Sequence, residues 1–132
     1  MDALLNNSLL HVWPRIEGLT DLRTPDDAVG RAFTVEAVDR DAVEIATAGG
    51  SPIIIRRTAF LAVLRYLVAH GHGASNACEI RSNQTAEHSG PLCMAAREAN
   101  GNTRVVNYVV PILAALGILG VDGTQPNATW LI

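Results

Sequence analysis

Glycine and proline cut residues 58–132 into blocks of recognisable kind and order, and this punctuation constrains the fold more than any other feature of the chain. Residues 58–70 place Phe60, Val63, Leu64, Leu67 and Val68 at helical spacing, and Gly71 stops the helix. Residues 72–90 are polar and irregular, with a brief strand expected over residues 77–80. Pro91, at a first helical position, opens a second helix that runs to Asn100 and ends at Gly101. Asn102 or Thr103 is expected to cap a third helix over residues 104–116, with Val109, Leu113 and Leu116 as its buried stripe and Gly117 as its stop. Pro111 lies inside this helix, where it removes one hydrogen bond and bends the axis. The last segment reads as a hairpin, with strands over 118–122 and 128–132 joined by a loop over 123–127.

The first half has a different rhythm. Leu5, Leu9 and Val12 sit at helical spacing in residues 2–13, with Asp2 as the N-cap and Pro14 as the stop. Leu4, Leu10 and Trp13 widen the apolar face, which must dock either on its own core or on a second copy of the chain. Residues 15–30 read as irregular, with a cap-and-turn signal at Thr24-Pro25-Asp26-Asp27. Apolar residues then fall at every second position in 33–37 and 43–45, and a third strand is expected over 52–56. Turns at 39–41 and 48–51 join the three into an antiparallel meander.

With 48% hydrophobic and 17% charged residues in 132, the chain can bury a core of its own and is expected to form a single domain. No apolar run approaches the roughly 18–20 residues that span a bilayer, and the start of the chain lacks the pattern of a signal peptide. A cytoplasmic location with Cys78 and Cys93 reduced is the expectation. All ten basic residues are arginine, and the net charge of −3 is unevenly spread. Residues 1–55 carry nine acids against four arginines, whereas residues 56–132 carry six arginines against four acids. That asymmetry is a mild pointer to a polyanion facing the second half.

The succession helix, short strand, helix, helix, hairpin resembles a winged helix-turn-helix. The run Leu113-Ala114-Ala115-Leu116-Gly117-Ile118-Leu119 resembles the end of a recognition helix in winged-helix regulators, where leucine and glycine lead directly into the first wing strand. The resemblance implies a winged helix-turn-helix with its C-terminal β-hairpin (58–132), which with the N-terminal helix and irregular segment (1–30) and the three-stranded antiparallel meander (31–57) makes an α+β fold. It also implies double-stranded DNA as the partner, with the helix N-terminus in the major groove. On this chain the contacting residues would be Thr103, Arg104, Asn107 and Tyr108, with Thr124, Gln125 and Asn127 at the wing tip. Arg56, Arg57, Arg65, Arg81 and Arg97 are the remaining candidates for phosphate contact. The wing tip lacks the arginine or lysine common there. Residues 31–132, closing on the run from Tyr108 to Ala115, also resemble small accessory domains of integron-type mobile gene cassettes and of restriction-type nucleases. That likeness implies a stand-alone domain without a catalytic centre. The competing expectation is a protein-interaction or homodimerisation module, paired through the N-terminal helix.

Catalysis and metal binding find little footing. His70, His72, Cys78, His88 and Cys93 fall close together, but not at the spacings of zinc ligands. Cys93, between Leu92 and Met94, is most simply a buried apolar residue, and a Cys93–His88 nucleophile would require the intervening loop to fold back. There is no phosphate-binding loop or dinucleotide fingerprint. The expectation is no enzyme, no cofactor, no metal and no small-molecule substrate.

Overall fold

The computed structural model describes residues 2–83 and 85–132. Helix α1 (Asp2–Val12) runs straight into a 3-10 turn (Trp13–Gly18), so Pro14 changes the helix type and does not simply stop it. Leu9, Trp13 and Ile16 are buried. The turn is pinned from the far side by the Trp13 indole, which donates to the Asp39 carbonyl at 2.6 Å.

Four antiparallel strands follow, in the order β1 (Leu22–Arg23), β2 (Ala32–Val38), β3 (Ala42–Ala46) and β4 (Pro52–Arg56). The meander of β2, β3 and β4 matches the alternating pattern, with Phe33, Val43, Ile45 and Ile55 facing inward. A bulge between Val35 and Ala37 shifts the register of β2. The strand β1 corrects the three-stranded expectation, because Leu22 and Arg23 pair with Phe33 and Ala32 inside a stretch that reads as irregular.

Helix α2 (Arg57–Ala69) presents Ala59, Phe60, Val63, Leu64 and Leu67 to the core. Its other side receives α1, through Asp2 on Arg65 at 3.0 Å and Asn6 on Arg57. Of the large apolar side chains on α1, only Leu4 stands well exposed, at 65%. Leu9 and Trp13 are buried and Val12 packs on the core, while Leu5 and Leu10 are half-buried, so the chain itself occupies part of the helix's apolar face.

Strand β5 (Cys78–Glu79) leads to α3 (Pro91–Glu98) and α4 (Val106–Ala115), then to β6 (Leu119–Asp122) and β7 (Ala128–Leu131). These strands form a second antiparallel sheet in the order β5-β7-β6. Gly120 lies opposite Trp130, whose ring covers it so closely that a Cβ would fall 2.2 Å from the indole. Neither Asn102 nor Thr103 caps α4, which begins two residues later than expected, behind Val105 and without a side-chain cap. The reason is that Gly101 and Asn102, at φ 63° and 64°, complete the end of α3, where the Asn102 amide donates back to Arg97. Helix α4 continues through Pro111, which cannot donate to the Asn107 carbonyl. One continuous cluster of buried side chains, from Leu9 to Leu119, joins both sheets and all four helices. Among the described residues no helix is long and apolar enough to cross a membrane.

A candidate binding cleft beside α4

From Val106 to Ala114 no residue of α4 is exposed, and Ala115 is the first that is. Val106, Val109, Val110, Ile112 and Leu113 are buried in the core. Tyr108 meets Phe33 of β2 edge-on, with ring centroids 5.1 Å apart and planes at 84°. Pro111 and Ala114 face the segment that carries β1, across a shallow cleft bordered by Leu22 and Pro25. The helix is thus enclosed on one side by α2 and α3 and on the other by the N-terminal half.

Its first turn still opens into a cleft of about 360 Å³, between the β1–β2 loop, β5 and the β6–β7 loop. Five residues expected to act together, Arg104, Asn107, Tyr108, Gln125 and Asn127, line this cleft. Thr103 is exposed in the preceding turn and does not line it. Thr124 is held locally, its hydroxyl donating to Asp122 at 2.6 Å.

Arg97 is a correction. It is 4% exposed and donates through Nη2 to the Asn83 carbonyl, bracing the loop ahead of α3, so it cannot reach a phosphate. The sequence pattern hides this because arginine at a helix end is normally solvated. Of the other arginines of the second half, Arg81 lines the cleft with Arg104, and Arg56, Arg57 and Arg65 lie elsewhere. Arg57 lies 3.8 Å from Asp41, Arg65 pairs with Asp2, Arg81 lies 3.9 Å from Glu79, and Arg56 approaches Gly101.

The β1–β2 loop is the part of the cleft that sequence reasoning missed. Asp26 accepts from the amides of Ala28 and Val29 at 2.8 and 3.0 Å and from the Gln125 side chain. Gly123 makes this approach possible, since a Cβ there would lie 2.1 Å from Asp27 Oδ1 and 2.5 Å from the Pro25 carbonyl. The same loop delivers Arg31, an exposed residue of the acidic half, to the cleft. Arg31, Thr24 and Tyr108 also border a second cleft that reaches Thr47 and Ser51. The turn signal at residues 24–27 marks a loop but says nothing of where the loop docks.

The backbone amides of Val29 and then Ala28, assisted by the Gln125 and Asn127 side chains, hold the Asp26 carboxyl below the ordinary 3.8. A depressed folded-state value means that the stabilisation is fully present above the unfolded-state value and is lost as pH falls through the folded one. We expect the stability difference between the native chain and Asp26→Asn to be constant near neutrality and to shrink below about pH 4. Urea midpoints measured across that range check this, and a difference that grows on acidification would refute it.

Chemistry at the thiols has no support in the geometry. Cys93 is fully buried, and burial with Glu79 nearby pushes the Cys78 thiol up, against the thiolate form. His70 and His72 stack with Tyr66, at centroid distances of 4.1 and 5.9 Å, at the exposed end of α2. Among the described residues no three histidine, cysteine or acidic side chains are grouped to hold a metal ion. Comparison of the chain with protein-family models, with curated proteins and with solved structures gave no match.

Proposed function

We propose that residues 57–132 form a winged helix-turn-helix with an enclosed third helix, and that the protein is a non-catalytic module that binds another protein and does not read duplex DNA. The order of α2, β5, α3, α4, β6 and β7, with β7 central in its sheet, supports the winged-helix reading. The observation that carries the functional reading is the burial of α4. A recognition helix places an exposed face in a groove about 12 Å wide. Here β1 packs on that face, and what stays accessible opens only into clefts walled by the β1 segment and the β1–β2 loop. Electrostatics agree, since counterion release needs many clustered positive charges, and only Arg31, Arg81 and Arg104 gather at the cleft, beside Asp26 and Glu79.

Fluorescence anisotropy with a labelled random duplex across a salt series tests the proposal. We expect weak binding at low salt, and no change in salt dependence on Arg104→Ala. Tight binding with a steep slope, reduced by about one unit in Arg104→Ala, would sink the protein-binding reading and restore DNA.

A further inference from the structure

We infer that the cleft beside the first turn of α4 takes an extended acidic peptide segment of a partner protein, with its carboxylates on Arg31 and Arg104. This inference rests on the protein-binding reading and names the chemistry of the partner.

The charges within the cleft decide its preference. Three guanidinium groups, Arg31, Arg81 and Arg104, share it with two carboxylates, Asp26 and Glu79. Glu79 lies beside Arg81, and Asp26 is occupied by two amides of its own loop and by Gln125. Among the described residues no carboxylate lies within ion-pair distance of Arg31 or Arg104. The cleft therefore keeps one net positive charge, with the planar forks of Arg31 and Arg104, free of ion pairs among the described residues and suited to carboxylate, as its open cationic groups.

A second observation concerns a missing donor. Asn127 Oδ1 is buried and has no hydrogen-bond partner among the described residues. A buried acceptor left unpaired costs free energy, and a ligand that supplies an N–H recovers it. Arg104 and Asn127 border the same cleft, so one ligand that carries carboxylates and N–H donors together can serve both once the Asn127 side chain turns to bring its enclosed Oδ1 to the cleft. A peptide does. The shape agrees, because Arg31 and Tyr108 border both this cleft and its continuation towards Thr47 and Ser51, a path for an elongated chain.

The test is anisotropy at low salt with a labelled, capped peptide of alternating glutamate and serine, beside its glutamine counterpart and a single-stranded oligothymidylate. We expect the glutamate peptide to bind in preference to the other two probes. Arg31→Gln and Arg104→Gln should each weaken it about tenfold, the worth of one charged hydrogen bond. Arg15→Gln, an exposed arginine outside the cleft, should leave it unchanged. Circular dichroism confirms that each variant is folded. No binding of the glutamate peptide, or equal losses in all three variants, overturns the inference. Tighter binding of the oligothymidylate overturns it in favour of single-stranded nucleic acid. If the peptide fails and duplex DNA also fails to bind, the acidic segment is lost while the protein-binding module stands.

Discussion

Replacing Phe60 by alanine is expected to destabilise the protein by about 3–5 kcal/mol, the usual cost of deleting a buried aromatic ring. Phe60 has 0% exposure and meets the edge of Trp13 at 5.0 Å, with the planes at 87°. The cavity cannot close easily, because Trp13 is tied to the Asp39 carbonyl on one side and built into the 3-10 turn on the other. The loss is a large part of the roughly 5–15 kcal/mol that holds a domain folded. Urea unfolding followed by circular dichroism measures it, with Phe60→Leu as the milder companion should the alanine variant not fold. A leucine variant as stable as the native chain, together with an alanine variant losing under about 1 kcal/mol, would show that this ring contact does not organise the core.

The second large effect is expected at Asn100, which is 5% exposed and acts as a short piece of strand. Its side chain donates to the Ile54 carbonyl at 3.1 Å and accepts from the Arg56 amide at 2.7 Å, closing the outer edge of β4. Asn100→Leu leaves both backbone groups without their partner under an apolar side chain, at a cost of about 2–3 kcal/mol. Asn100→Asp keeps the acceptor, but at neutral pH it sets a buried carboxylate against the Ile54 carbonyl, so it should cost at least as much as the leucine variant. Native-state hydrogen exchange adds a specific readout, since the Arg56 amide should lose protection more than amides of α4. Equal loss throughout would mean that Asn100 supports the whole fold and not this edge in particular.

Most of the fold was legible where one period persists and glycine or proline ends it. The helix expected over 58–70 is α2, shifted by one residue, because its apolar face repeats at helical spacing up to the left-handed Gly71. The meander was legible for the same reason at period two. Strand β1 was not, because two residues carry no period and their strand conformation depends on pairing with Phe33 and Ala32. The capping of α4 failed on competition. Asn102 carries the right side chain for a cap, but its backbone is taken up in ending α3.

The candidate site divides along similar lines. Arg104, Asn107 and Tyr108 follow from their place at the start of a helix, and Gln125 and Asn127 from a loop beyond it. The resemblance to a winged helix placed them on one surface, and the tertiary structure gathers them in one cleft. Arg97 was misplaced because its burial depends on the Asn83 carbonyl, fourteen positions earlier. Arg31 and Asp26 were missed because they belong to the opposite half of the chain.

The glycine and proline punctuation of residues 58–132 determined, without further help, the order of its three α-helices and where each ends, since a left-handed residue or a missing amide acts within one turn. Only the tertiary structure decided that α4 is enclosed and that its first turn opens into a cleft of mixed charge. That outcome depends on contacts such as Gln125 with Asp26, ninety-nine positions apart, which no local period or composition encodes.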